Sequence, residues 1–205
     1  MEKIKGLKIL AAADFHGNAT VAESLSKKAE KEKVDLIILS GDLHGRQKTS
    51  PGIIAPFKKR NQKVIFIPGN WDTTTEANTL KDMYQINNID GIYTHYNGVD
   101  IIGVGSPDFR LDIDDKKTLD KLIKNFEKVK DRPTKKVLVS HIHASGTLAE
   151  FSGFPGSEVL RTVIDYFHPD VFISSHIHEA EGLEQKIGRT RIFQVGKRGK
   201  VINVK

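Results

Sequence analysis

Six of the eight histidines stand within a few residues of the end of an apolar run, and aspartate or asparagine takes the same place after others. The segments are LKILAAADFHGN, with Asp14, His16 and Asn18; DLIILSGDLHG, with Asp42 and His44; VIFIPGNWD, with Asn70 and Asp72; KVLVSHIH, with His141 and His143; and DVFISSHIH, with His176 and His178. Imidazole, carboxylate and amide suit hard or borderline divalent ions. Cysteine is absent, which excludes disulfides, thiolate zinc sites and thiol catalysis. Taken singly these residues have plainer readings: Asp14 or Asp72 would cap the following helix, and a lone strand-end histidine is more often a structural hydrogen-bonding group than a ligand. Repetition shifts the balance, because Asp-x-His and His-x-His each occur twice at strand ends. Two cations ~3.5–4 Å apart, each wanting five or six hard ligands, need about seven protein groups and a shared carboxylate. The chain supplies that number.

The elements that must position these groups follow from hydrophobic pattern. Short apolar runs such as Leu36-Ile37-Ile38-Leu39 and Val64-Ile65-Phe66-Ile67 read as strands buried on both faces, the habit of parallel sheets. Strands at about 7–13, 34–40, 63–68, 135–140 and 170–174 alternate with helical patterns at about 18–31, 51–61, 73–86, 114–130 and 156–167, a βαβ series. Gly91–His95 and Val99–Val104, joined through Asn97-Gly98, form a hairpin signal. The tail segments Gly182–Ile187, Thr190–Val195 and Lys200–Val204 read as a meander. Helices therefore flank two stacked sheets, one mixed and one largely antiparallel. In open α/β sheets the carboxyl ends of the strands converge on the site, so ligands scattered in sequence become one cluster in space.

A chain of 205 residues suits one domain, 1–205, large enough to bury roughly 70% of its unfolded surface. The formal charge of +6 raises the question of a nucleic-acid partner. The lysines, however, are dispersed over polar helix faces, as at Lys27, Lys28 and Lys31 or Lys121, Lys124 and Lys128, which reads as solvated surface. Nucleic acid is thus the less favoured partner beside a small phosphoester or nucleotide, and the sequence does not set the oligomeric state. No stretch approaches the ~20 apolar residues of a membrane span, the N-terminus does not read as a signal peptide, and a cytoplasmic setting is expected.

The order Asp14-Phe15-His16, Gly41-Asp42, Gly69-Asn70-Trp71-Asp72, His141 and Ser175-His176-Ile177-His178 resembles the calcineurin-like metallophosphoesterase family, over residues 7 to about 196. Gly156-Ser157 with Leu160-Arg161 and Ile164 resembles its small prokaryotic members. The resemblance implies a four-layer α/β/β/α sandwich with two stacked mixed sheets and the metal site at the C-terminal ends of the strands. It implies that Asp14, His16 and His178 hold one ion, that Asn70, His141 and His176 hold the other, and that Asp42 bridges them. The expected cofactor is a pair of divalent ions, Mn²⁺ first and Zn²⁺, Ni²⁺, Fe or Mg²⁺ after it. The expected activity is phosphodiester hydrolysis through a metal-bridging hydroxide, with Asp42, Asn70, Asp72 and His141 in the catalytic machinery and Asp72 supporting a ligand. A metal-binding module of the same fold with little catalysis, or a nuclease, are the alternatives.

Two positions depart from the family pattern. Trp71 stands where members that cleave demanding esters carry a histidine, and an indole N–H is no general acid near neutral pH; good leaving groups are therefore favoured. Ser175 replaces the usual glycine in a tight turn. Arg46 and Arg161 are the nearest cationic candidates for a substrate oxygen, Arg161 reading better as surface. His44 and His143 lie outside the matched motif, His95 and His168 read as structural or solvated, and Phe109, Phe151 and Phe154 either line an entrance or, the commoner fate, pack as satellite core.

Overall fold

In a computed structural model describing residues 6–45 and 52–205, the strands pair into two sheets. The elements run β1 (Leu7–Ala12), α1 (Ala19–Lys31), β2 (Leu36–Leu39), α2 (Ala55–Lys59), β3 (Val64–Phe66), α3 (Thr74–Tyr84), β4 (Asn87–Asn88), β5 (Tyr93–Tyr96), β6 (Val99–Val104), α4 (Lys116–Val129), β7 (Lys135–Ser140), α5 (Glu158–Phe167), β8 (Val171–Ser174), β9 (Glu184–Ile187), β10 (Thr190–Gln194) and β11 (Lys200–Val204). One sheet has the order β11-β1-β2-β3-β4 and the other β5-β6-β7-β8-β10-β9. In the first, β1, β2, β3 and β4 are parallel neighbours and β11 is antiparallel to β1. In the second, β6, β7, β8 and β10 are parallel and the two edge strands antiparallel.

Both sheets are therefore mixed, and the expectation of one largely antiparallel sheet is corrected. The tail is not a meander either. β9 and β10 form a hairpin, but β10 lies parallel to β8, and β11 leaves that sheet to pair with β1 of the other. Alternation along a strand shows which face is buried but not which neighbour it pairs with.

Three apolar layers make the sandwich. Residues of both sheets meet in the middle, among them Ile9, Ile38, Ile65, Ile101, Val139, Ile173 and Ile202. The outer face of the first sheet packs on α1, α2 and α3 through Leu10, Leu39, Phe66, Leu25 and Phe57. The outer face of the second packs on α4 and α5 through Leu138, Phe172, Phe126 and Ile164. Burial on both faces accounts for the unbroken apolar runs of β2 and β3 and for the apolar stretch of β1 after Lys8. The hairpin between β5 and β6 turns at Asn97 (φ 44°) and Gly98 (φ 78°), the positive pair a tight two-residue turn requires. Among the described residues no helix is long and apolar enough to cross a membrane.

Candidate dinuclear metal centre

Every ligand candidate follows the carboxyl end of a parallel strand: Asp14 and His16 after β1, Asp42 after β2, Asn70 after β3, His141 after β7, His176 and His178 after β8. The backbone leaves the pleat there. Asp14 (φ 59°), His16 (φ 46°), Asp42 (φ 53°) and His176 (φ 73°) are all left-handed, a conformation costing an ordinary residue ~1–3 kcal/mol and gathered at functional sites. With the pleat broken in this way, Asp14 and His16, two apart, bring their side chains to the same end of the sheet. Neither aspartate caps a helix: Asn18 caps α1 and Thr73 caps α3.

Two groups of ligand atoms result, Asp14 with His16 and His178, and Asp42 with His141 and His176; within each, the atoms lie within 4.8 Å of one another. Asp42 stands between them. Its Oδ2 is 3.4 Å from His141 Nε2 and 3.8 Å from His16 Nε2, while its Oδ1 accepts the Trp71 N–H at 2.8 Å. His178 Nε2 is 3.7 Å from Asp14 Oδ1 and 3.3 Å from His16 Nε2, and Asn70 Oδ1 is 2.9 Å from His141 Nε2.

The donor set fits divalent cations on two observations. Both Asp14 oxygens are buried without a hydrogen-bond partner, a costly state for a carboxylate unless a cation faces it. His141 is surrounded by acceptors: Nδ1 is 2.8 Å from the Ser40 carbonyl, and Nε2 faces Asn70 and Asp42. A proton or a metal ion must occupy the Nε2 side.

The electrostatics agree. Burial pushes the Asp14 carboxyl up to about 6. Burial pushes His141 down, but the Asp42 carboxylate beside it outweighs this and holds the imidazole up at about 9. Burial, joined by the charge on His141, takes His176 down to about 4, and burial likewise lowers His16. Burial raises Asp42, yet His141, the Trp71 N–H and His16 together hold its carboxyl below the usual range.

Asp72 lies beneath the ligands, buried, and ties together the loops that carry them. Its Oδ1 accepts from the Leu43 and His44 backbone N–H at 3.0 and 2.8 Å and faces His44 Nδ1 at 3.0 Å, and its Oδ2 accepts from Gly69 N–H at 2.8 Å. Gly41 and Gly69 are obligatory to the same packing. A Cβ on Gly41 would come within 2.6 Å of the Gly69 backbone, and one on Gly69 would collide with the Asp42 carboxylate. Ser175 is accommodated without strain: the positive φ falls on His176, and the serine hydroxyl donates to the Ser40 carbonyl at 2.8 Å, the acceptor that also orients His141.

The other singled-out residues part company. His44 is tied to Asp72; His143 is buried with Nε2 3.2 Å from the Phe154 carbonyl. His95 pairs with Asp100, and His168 is the left-handed residue ending α5. Arg161 pairs with Asp165 on its own helix, and Arg46 lies outside the described residues. Phe109, Phe151 and Phe154 are exposed, so the satellite-core reading is corrected. Phe109 and Phe154 belong to irregular loops that no periodic pattern describes, and Phe151 to a single 3-10 turn, Leu148–Ser152. Phe109 meets the Trp71 ring edge-on at 5.9 Å and Trp71 meets His16 at 6.1 Å, while Phe154 lies 6.4 Å from the His176 ring. Beside His176 and Phe154 opens a cleft of about 540 Å³ whose carboxylates, Asp112, Glu150 and Glu158 among them, the motif reading missed. The acidic run Asp112-Ile113-Asp114-Asp115 was its one visible trace.

The sequence model described as calcineurin-like phosphoesterase matches residues 7–180. A search of curated protein sequences returns no match. Among solved structures, TT1561 of Thermus thermophilus is 16% identical with a TM-score of 0.74, over 98% of this chain and 100% of that one. The phosphopantetheinyl hydrolase PptH of Mycobacterium tuberculosis is 15% identical with a TM-score of 0.64, over 93% and 89%. A dimetal phosphatase from Danio rerio is 11% identical with a TM-score of 0.64, over 93% and 88%. At these identities the likeness is one of fold.

Proposed function

The chain belongs to the calcineurin-like phosphoesterase family, and on that premise we propose that it is a dimetal phosphodiesterase acting on esters with good leaving groups. One observation carries the reading: two three-residue ligand groups meet at the shared Asp42 carboxylate at the ends of parallel strands. In this assignment Asp14, His16 and His178 hold one ion, Asn70, His141 and His176 the other, and Asp42 both. Bound there, divalent ions supply positive charge to phosphoryl oxygens and lower the pKa of water toward neutrality. Mn²⁺ is the first choice on the resemblance to the family, and a set of oxygen and imidazole without sulfur equally admits Zn²⁺, Ni²⁺ or Fe. A single domain over residues 1–205 and a cytoplasmic setting, in keeping with the absence of cysteine, complete the reading.

The residues do the remaining work. Asp42, shared by the two groups, would offset the mutual repulsion of two cations held there. The Ser40 carbonyl fixes the His141 ring with Nε2 turned inward. Asp72 holds the Asp42 and Asn70 loops in register. Where a proton donor to the leaving oxygen would stand, Trp71 offers an indole. The leaving group must therefore depart as a stable anion, which aryl oxides do and alkoxides do not.

Leaving-group dependence is the test. Chelated protein reconstituted in turn with Mn²⁺, Mg²⁺, Zn²⁺ and Ni²⁺ should cleave bis(p-nitrophenyl) phosphate far faster than dialkyl phosphates. Trp71→His should recover activity selectively on poor leaving groups, within the ~10²–10⁴-fold that positioned acid catalysis supplies. Equal rates on aryl and alkyl diesters would show that another group delivers the proton. No turnover with any metal, at full occupancy, would leave a binding module.

A further inference from the structure

The ligand cluster has two unlike flanks. On the His16 side stand Trp71 and Phe109. On the His176 side the cleft runs outward past Phe154, and among the described residues its lining holds four carboxylates, Asp112, Asp114, Glu150 and Glu158, and no lysine or arginine. In a chain of net charge +6, this local reversal of sign beside a site for phosphoryl oxygens sets it apart from an anion-binding wall.

Among the described residues, most of these carboxylates have an oxygen to spare. Asp114 is fully used, accepting from the Ser157 hydroxyl and the Glu158 and Val159 N–H groups. Glu150 spends Oε1 on Gly156 N–H, Glu158 spends Oε1 on the Ser145 hydroxyl, and Asp112 spends Oδ1 on Asp114 N–H. One oxygen of each remains for a ligand. Two described guanidinium groups, Arg110 and Arg161, are engaged elsewhere, with Asp115 and Asp165. A second, independent sign comes from the cleft wall: His143, 1% exposed, leaves Nδ1 without a hydrogen-bond partner. Phe154, exposed at the mouth, presents an aromatic ring of the kind that attracts organic cations.

We propose that this cleft seats a positively charged organic arm of the phosphodiester, an ammonium or quaternary ammonium group, while the leaving aryl or other acidic alcohol lies on the Trp71–Phe109 side. The proposal rests on the phosphodiesterase reading above. An arm ending in a second phosphate would meet three uncompensated carboxylate oxygens and be rejected; a cation gains from each of them and from Phe154.

The probes are p-nitrophenyl phosphorylcholine and p-nitrophenyl 3,3-dimethylbutyl phosphate, which differ only in a quaternary nitrogen replaced by carbon. Both release p-nitrophenolate, so leaving-group chemistry is constant. Metal-loaded wild type should show kcat/KM about tenfold or more higher for the choline ester. Asp112→Asn, Glu150→Gln and Glu158→Gln keep the oxygens that bond within the protein; each should reduce that ratio about three- to tenfold, mainly through KM, and leave bis(p-nitrophenyl) phosphate hydrolysis unchanged. A ratio near one in wild type, or one that survives the triple variant, overturns the proposal. Calorimetric titration with phosphorylcholine and 3,3-dimethylbutyl phosphate separates the two readings. If nothing is hydrolysed, the phosphodiesterase assignment fails; tighter, carboxylate-dependent binding of phosphorylcholine would still uphold the cleft assignment, and equal binding would sink it.

Discussion

Replacing Asp72 with asparagine separates a residue that organises the ligand loops from one that binds metal. Four donors converge on its carboxylate: the backbone N–H groups of Leu43, His44 and Gly69, and the His44 ring, at 2.8–3.0 Å. An amide of the same shape keeps one oxygen. With that oxygen turned toward Leu43 and His44, the new NH₂ group meets the Gly69 N–H head-on, 2.8 Å from where Oδ2 stood. One charge-assisted bond worth ~1.5–3 kcal/mol is lost, and the survivors weaken toward the ~0.5–1.5 kcal/mol of neutral pairs. The net destabilisation is about 3–5 kcal/mol, or a fall of roughly 6–20 °C in Tm for a chain of this size. Calorimetry of the metal-free variant measures that fall, and elemental analysis after reconstitution should still find both ions. A metal-free Tm equal to wild type, together with loss of bound metal, would refute the argument and make Asp72 a ligand.

Asp42→Asn should weaken both metal positions together, because one carboxylate serves both groups; near wild-type turnover with two ions bound would end the bridging assignment. His44→Ala and His143→Ala should retain metal, His44→Ala at a cost of about 1 kcal/mol for its bond to Asp72, whereas His141→Ala and His176→Ala should empty or weaken one position. Metal analysis of the four variants decides between this ranking and a mislocated set. In the metal-free protein the His141 imidazole is raised from its ordinary 6.5 to about 9, so its stabilising contribution is full below pH 6.5 and fades as pH rises through 9. Metal must displace that proton: affinity at the His141 position should climb up to tenfold per pH unit from about 7 to 9, with close to one proton released for the ion held there at about pH 7.5, read by calorimetry in buffers of different ionisation enthalpy. Binding without proton release would contradict the His141 assignment.

The sequence by itself determined the candidate ligands and their placement at strand ends. Asp-x-His and His-x-His after buried apolar runs are local patterns, and parallel strands buried on both faces leave their carboxyl ends as the common meeting place. The helices and the Asn97-Gly98 turn were local in the same sense. Tertiary structure alone decided where β11 went, because pairing with β1 brings together opposite ends of the chain and nothing in Lys200–Val204 names that neighbour. It also decided the roles of Asp72 and Ser175, whose partners Leu43, Gly69 and Ser40 are set by how the loops pack. The left-handed turns at Asp14, His16, Asp42 and His176 were hidden too, since a strained conformation is held by the packing around it and not by residue type. The acidic cleft needed the fold most of all: Asp112 reaches it from the loop before α4, Glu150 from the stretch between β7 and α5, and Glu158 from the start of α5, and the layered packing of the sheets brings them to one wall beside His176.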